Sequence, residues 1–338
     1  MKYFSMFSGI GGFEYGICNA YRSKDRRSQA DSERNKGQGF QPTQSQEASS
    51  KERSTSECYN ESINERPLCV GFSELDKYAI QIYKKHFPNH KEYGDVTKID
   101  WSTVSAFDLL VGGFPCQSFS IAGRRGGFKD TRGTLFFEIA RCLREKQPRL
   151  FLLENVKGLL SHDKGNTFLT ILTTLDELGY DLQWQVLNSK NFGVPQNRER
   201  VFIVGHLRGT SRPEVFPIGR SYEKDNGAVQ RYISNTLTAR YEGAQATGTY
   251  IGEGELNAQK IRRLTPTECE RLQGFPDGWT EFGVIYVDKE KLKKDREKGR
   301  VTEQYQIEKI SDTQRYKCLG NAVTTNVITA IIEKILTS

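Results

Sequence analysis

The chain has 338 residues, room for two domains at roughly 100–200 residues each, and with 36% hydrophobic and 27% charged side chains it has an ordinary globular composition. No apolar run approaches the ~18 residues of a membrane span and no charged-then-apolar leader opens it, so a soluble, cytoplasmic protein without membrane contact is expected. Seven cysteines without a CxxC pair and four histidines without an HExxH argue against a disulfide framework and a metal site, while a net charge of +7 favours an anionic partner such as nucleic acid.

In chain order, Tyr3 to Phe7 reads as a short buried strand that breaks at Ser8-Gly9-Ile10-Gly11-Gly12, and Phe13 to Ala20 has helical spacing. From Arg22 to about Arg66 the sequence turns to Ser, Gln, Glu, Lys and Arg with hardly an aliphatic side chain. Residues 22–66 therefore read as a disordered or loosely ordered insertion. Leu68 to Phe72 resumes as a strand, Lys77 to His86 as a helix, and Phe107 to Val111 as a strand running into Gly112-Gly113-Phe114-Pro115-Cys116. A helix from Thr134 to Glu145, a strand from Leu150 to Leu153, a helix around Thr167 to Leu178 and strands near Gln185–Leu187 and Val201–Val204 follow. This alternation predicts an α/β fold with a parallel, doubly wound sheet and helices on both faces. Beyond His206 the texture loosens and a second, smaller module begins. Within it, Thr265-Pro266-Thr267-Glu268 is a capping box opening a helix through Leu272. Asp288 to Arg300 alternates Lys, Glu and Arg as a solvated helix or loop, and Val323 to Leu336 reads as an apolar-faced terminal helix.

A glycine turn between strand and helix lets backbone approach a ligand closely, and nucleotide-type folds place an acid about 20 positions later, at the end of the next strand. Glu74 follows Gly12 by 62 positions, and leaving out the 45 residues of the insertion brings the spacing to 17. Asp95, in Tyr93-Gly94-Asp95-Val96, follows another extended stretch and is placed to accept from an adenine amino group.

Ligands of open α/β sheets sit beyond the carboxyl ends of the strands, where Cys116 and Glu154-Asn155 also fall. Arg198 and Arg200, two apart, point to one face and Glu199 to the other. If the strands near 186 and 201 pair antiparallel, all of these residues share one rim. A thiol, a carboxyl and a guanidinium there suit attack on an electron-poor ring such as a pyrimidine. His86 and His90 would share a helix face only if the helix continued through Pro88, so both are expected at the surface. Cys18, Cys58, Cys69, Cys142, Cys269 and Cys318 are read as structural or incidental.

Phe7-Ser8-Gly9-Ile10-Gly11-Gly12, Gly113-Phe114-Pro115-Cys116-Gln117, Glu154-Asn155-Val156, Gln196-Asn197-Arg198-Glu199-Arg200, Arg263-Leu264-Thr265-Pro266 with Leu272-Gln273-Gly274-Phe275-Pro276, and Gly320-Asn321-Ala322-Val323 stand in one order. That order resembles the DNA (cytosine-5)-methyltransferases of bacterial and phage restriction-modification type, over nearly the whole chain apart from the insertion and the stretch near 283–310. The resemblance implies a Rossmann-like S-adenosylmethionine-dependent methyltransferase sheet with a small irregular target-recognition domain. It also implies methylation of C5 of a cytosine flipped out of a short, specific duplex DNA sequence, without a metal. By the resemblance, Cys116 attacks C6, Glu154 holds or protonates N3, C5 takes the methyl group and loses its proton, and Cys116 is expelled. Arg200 would hold the cytosine O2, with Arg198 in support. The matching cofactor positions are Phe7, Ser8, Gly9, Gly11, Gly12, Glu74, Asp95, Pro115, Leu135 and Asn321.

Residues 117–132, with hinge glycines at Gly123, Gly126 and Gly127, resemble the family's mobile loop. Ser120, Arg124 and Arg132 there, and Thr236 in a Thr-Leu signature, are the implied DNA contacts. The expected division is 1–205 for catalysis and cofactor, 206–282 for target recognition, 283–312 as a charged insertion, and 313–338 returning to the catalytic domain. A monomer is expected, acting on double-stranded DNA and serving restriction-modification or phage DNA protection. A cognate restriction endonuclease would be a partner in function without physical association. A tRNA cytosine-5 methyltransferase is disfavoured by the absence of that group's Cys-Phe-Thr block, and a silent regulator by the retained Pro-Cys and Glu-Asn-Val. A dinucleotide oxidoreductase would leave Cys116, Glu154 and Arg200 unused.

Overall fold

The computed structural model describes residues 1–35, 66–115, 135–218, 234–235, 250–253, 260–286 and 305–337. Its centre is a six-stranded sheet in the order β2-β1-β3-β4-β7-β5, formed by β1 (Lys2–Met6), β2 (Leu68–Ser73), β3 (Leu109–Gly113), β4 (Leu150–Val156), β5 (Tyr180–Asn188) and β7 (Glu199–Leu207). The first four are parallel, and β7 runs antiparallel to both β4 and β5. The sheet is therefore mixed, not parallel throughout. The reason is local: β5 and β7 are joined by a short connection holding a single 3-10 turn (Ser189–Phe192) and the two-residue β6 (Gln196–Asn197), too short for the crossover that a parallel pair needs.

Alternation along each strand divides the core. Phe4, Met6, Leu110, Phe151, Leu153, Val201 and Ile203 pack on one face under α3 (Leu135–Lys146) and α4 (Asn166–Glu177). Tyr3, Leu109, Val111, Leu150, Leu152, Phe202 and Val204 pack on the other under α1 (Gly12–Asn35) and the last helix, α7 (Thr325–Thr337). A third cluster joins α2 (Lys77–His86), α5 (Pro266–Leu272) and α6 (Asp312–Asn321) around Phe87, Phe275 and Trp279. The capping box at α5 is formed, with Thr265 and Glu268 exchanging bonds.

Three expectations need correction. Residues 22–35, read as loose, are the second half of α1, where Arg27 pairs with Glu333 at 3.0 Å; from Ile17 to Lys36 neither Gly nor Pro breaks the helix. His86 and His90 are packed, not surface residues: His86 stacks on Trp279 with ring centroids 3.6 Å apart and bonds its carbonyl oxygen, and His90 stacks on Phe87. The helix does end at His86, ahead of Pro88. The 283–312 stretch has ordered flanks, β11 (Phe282–Tyr286) and β12 (Tyr305–Lys309), which pair antiparallel against α2; residues 288–300 lie outside the described residues. The small region also holds β8 (Ser234–Asn235), β9 (Tyr250–Glu253) and β10 (Lys260–Arg263), with β8 pairing β6.

Glu14, in the first turn of α1, is fully buried, and burial pushes its carboxyl up to about 7. The Tyr83 hydroxyl donates to its Oε1 at 3.0 Å and stands 2.9 Å from His90 Nδ1. In the unfolded chain this carboxyl titrates near its ordinary 4.5, so between pH 4.5 and 7 the native state keeps a proton that the unfolded state has lost. Stability supplied by that proton is lost as pH rises through this window, by about 3 kcal/mol in total. Glu14→Gln, neutral at every pH, is expected to gain on wild type by that amount between pH 4.5 and 7.5 in urea unfolding. A difference that stays flat with pH would contradict the assignment.

Candidate active site

The carboxyl ends of β1, β2, β3 and β4 lie on one edge, with strand order reversing about β1, the position where open α/β sheets take their ligands. After β1 the chain turns through Phe7 at φ 55°, Gly9 at φ +56° and Gly11 at φ +87°. A Cβ on Gly11 would stand 2.5 Å from the Phe87 ring, and one on Gly12 2.7 Å from Val323, so the turn closes only with glycine at those positions. Ser8 donates from backbone and side chain to the Ser73 carbonyl oxygen, each at 3.2 Å, and Ser73 Oγ donates to the Gly94 carbonyl oxygen at 2.6 Å. Three successive loops are thus stitched together.

Glu74, just beyond β2, accepts from the Gly9 N–H at 2.8 Å and from the amides of Leu75 and Asp76 at 2.8 and 2.9 Å. The acid anticipated from spacing is bonded to the glycine turn itself. Asp95 caps the one-turn helix Val96–Lys98, and bonds from the Thr97 hydroxyl and amide hold its carboxyl below the usual range. Pro115 is exposed beyond β3, Leu135 opens α3 half-buried against the core, and Asn321 is exposed at the end of α6.

Register explains the second half of the rim. Glu154 lies opposite Phe202 and Val156 opposite Arg200, so Glu154 and Arg200 are diagonal neighbours on one face. Arg200 Nε meets Glu154 Oε1 at 3.0 Å, both side chains largely shielded from solvent. Glu199 faces the other way, where Lys157 pairs with it at 2.9 Å. A Cβ on Gly113 would lie 3.2 Å from Glu154 Oε2 and 3.8 Å from Val323, so the carboxylate sits at the end of β3, close to the segment that backs the glycine turn. Asn155 was not singled out for its own role by sequence reasoning. It is buried and donates to the Phe114 carbonyl oxygen at 2.8 Å, fixing the chain immediately before Pro115-Cys116; its place beside an acid in an apolar strand was the available signal.

Arg198 is buried just beyond β6. Its Nη2 donates to the carbonyl oxygens of Ala322 at 2.8 Å and Gly320 at 3.3 Å, and burial, with the nearby Arg200 charge, pulls its pKa down to about 9. Cys116, Ser120, Arg124, Arg132 and Thr236 lie outside the described residues. The five described cysteines are free, and burial raises the thiol pKa of Cys69, Cys142, Cys269 and Cys318, the last two to about 12, which suits inert packing roles.

A family model described as C-5 cytosine-specific DNA methylase matches residues 61–236 and 214–293. The chain belongs to that family. The matched ranges hold Glu74, Cys116, Glu154, Arg198 and Arg200; Phe7 to Gly12 and Asn321 fall outside them and rest on geometry. Among curated relatives, this methylase is 39% identical over 315 aligned residues to the Type II methyltransferase M1.ScrFI of Lactococcus lactis subsp. cremoris, covering 80% of this chain and 73% of the relative. It is 38% identical to M.SsoII of Shigella sonnei, covering 79% and 73%, and 36% identical to M.HpaII of Haemophilus parainfluenzae, covering 79% and 83%. Its fold matches the Entamoeba histolytica methyltransferase EhMeth at TM-score 0.62 and 18% identity, over 100% of this chain and 98% of that one. The Spodoptera frugiperda DNMT2 mutant matches at 0.61 and 17%, over 99% of each chain. This methylase is thus a C-5 cytosine DNA methyltransferase of the restriction-modification type, and DNA is its substrate. Among the described residues no helix is long and apolar enough to cross a membrane.

Proposed function

We propose that the methylase acts by a covalent adduct between Cys116 and C6 of a cytosine flipped out of duplex DNA, with S-adenosylmethionine as the methyl donor. The observation that carries this reading is the Glu154–Arg200 pair near the end of β4, with Glu154 directly opposite Gly113, the β3 end that leads into Pro115-Cys116. Adding a thiolate to C6 pushes electron density toward N3 and O2. A carboxyl and a guanidinium held side by side can meet those two atoms, Glu154 giving or sharing a proton at N3 and Arg200 donating at O2. Asn155 fixes the approach of the nucleophile's segment through the Phe114 carbonyl.

The β1–β2 rim fits the donor. Among the described residues, and apart from chain neighbours, nothing lies within 4 Å of where a Cβ would stand on Gly9, beside the Glu74 carboxylate, or on Gly94, which leaves open space at both turns. Phe7, Ser8, Gly9, Gly11, Gly12, Glu74, Asp95, Pro115, Leu135 and Asn321 would hold it, with Glu74 toward the ribose hydroxyls and Asp95 toward the adenine amino group. Bound there, S-adenosylmethionine supplies the methyl group for C5. No metal takes part in this reading. Ser120, Arg124, Arg132 and Thr236 contact DNA, target recognition lies in 206–282, and the enzyme works as a monomer on a short sequence, in restriction-modification or phage DNA protection, alongside any cognate endonuclease without binding it.

The test is transfer of labelled methyl from S-adenosylmethionine to unmethylated plasmid DNA and to tRNA, with base-resolution mapping of 5-methylcytosine. Label in DNA at one recurring sequence is expected; label on tRNA alone would overturn the substrate assignment.

A further inference from the structure

We propose that Arg198 is a positioning residue for the cofactor side of the site, clamping the segment Asn321–Thr324 from below while Gln273 clamps it from the side. The inference rests on the cofactor reading above. Between the end of α6 at Asn321 and the start of α7 at Thr325 only three residues turn the chain, and Val323 among them packs against both Gly12 and Gly113. This turn is therefore the wall shared by the glycine turn and the end of β3.

Its backbone is held by two buried side chains from distant parts of the sequence. The Arg198 fork reaches the carbonyl oxygens of Gly320 and Ala322, one on each side of Asn321. Gln273 Nε2 donates to the carbonyl oxygens of Leu319 at 2.9 Å and Ala322 at 3.4 Å, and its Oε1 accepts from the Thr324 hydroxyl at 2.8 Å. Gln196, two residues before Arg198, donates to the Leu272 carbonyl oxygen at 2.8 Å, so the two clamps are tied to one another. Arg198 is only 3% exposed. Keeping a cation there for carbonyl partners costs desolvation that a neutral side chain would avoid. What the guanidinium adds is a planar, rigidly held head group whose one nitrogen Nη2 donates to both carbonyls, a geometry that the flexible stem of a lysine holds less well. Because Asn321 stands between the two clamped carbonyls, loosening the clamp displaces it and relaxes Val323 off Gly12, while the Glu154–Arg200 pair keeps its own strand register.

Arg198→Met should weaken binding of S-adenosylhomocysteine, measured by titration calorimetry, by about tenfold or more, the loss expected when charge-assisted bonds to two buried carbonyls go. In steady-state transfer to plasmid DNA the loss should fall on KM for S-adenosylmethionine more than on kcat. Arg198→Lys should recover part of the affinity. Gln273→Met, which cuts the same segment from a different element, should reproduce the binding defect, and the double variant should lose less than the product of the two single losses. Amide hydrogen exchange over 319–324 should quicken in each variant. Unchanged S-adenosylhomocysteine affinity in soluble Arg198→Met and Gln273→Met, with the defect in kcat instead, would overturn the inference alone and return Arg198 to the pyrimidine. Wild-type protein that binds no S-adenosylhomocysteine would overturn the cofactor assignment, and the inference with it.

Discussion

Cys116→Ser is expected to bind DNA and S-adenosylhomocysteine like wild type and to transfer methyl at least about a thousandfold more slowly. A thiol has a few per cent of thiolate at neutral pH and a soft, polarisable sulfur, whereas a serine hydroxyl is almost wholly protonated and finds no histidine base in the motif around it. The decisive measurement uses duplex DNA carrying 5-fluorocytosine at the target. With S-adenosylmethionine present, transfer of methyl to a C5 that carries fluorine leaves no proton to lose, so the final elimination cannot proceed and a chain that has attacked C6 stays attached. Wild type should shift the labelled DNA on a denaturing gel and Cys116→Ser should not. A shift of equal yield in the serine variant would remove Cys116 from the reaction.

Glu154→Gln carries the second large effect, a fall in transfer rate of about 10²–10⁴, the range a positioned proton donor supplies. Glutamine keeps the shape and still offers an oxygen to Arg200, so the 3.0 Å contact survives while the proton for N3 is gone. Arg200→Ala should behave differently. It strands a carboxyl that is only 8% exposed, and removing one member of such a pair costs about 3–5 kcal/mol. Thermal unfolding therefore separates the two variants: Glu154→Gln inactive at wild-type stability, Arg200→Ala inactive and destabilised. If Glu154→Gln retained more than a tenth of the wild-type rate, the carboxyl would have no part in moving a proton.

Much of this site could be read from the chain. The spacing of Glu74 from the glycine turn, once the insertion was set aside, put it at the end of the next strand, and it stands just beyond β2, bonded to the Gly9 amide. The parity of Arg198 and Arg200 held for Arg200, since the antiparallel pairing of β5 with β7 places Leu187 opposite it as expected. Parity says nothing of the carbonyl oxygens about 120 residues away to which Arg198 Nη2 donates, because a carbonyl leaves no trace in side-chain identity. The two histidines were misplaced for a similar reason: Trp279, which covers His86, comes from a segment 193 residues later. The second half of α1 was missed because the sign sought was an apolar stripe. A stretch of helix that carries Arg, Lys, Gln, Ala and Glu among its Ser and Asp, with no Gly or Pro, needs none where it runs beyond the sheet.

That projection has a practical side. The helix Gly12–Asn35 is about 36 Å long at 1.5 Å per residue, roughly twice the ~17 Å of the five-residue β1 it follows. Since β1 and β2 are parallel, α1 must run back toward their starting ends, and the chain rejoins the sheet where Leu68 pairs with Lys2, the end opposite the glycine turn. Asn35 and Arg66 thus bracket a natural grafting point on the far pole of the protein. A fluorescent reporter or a second DNA-targeting module spliced between them would sit at the end of a helix, with the full length of the strands between it and the reacting base.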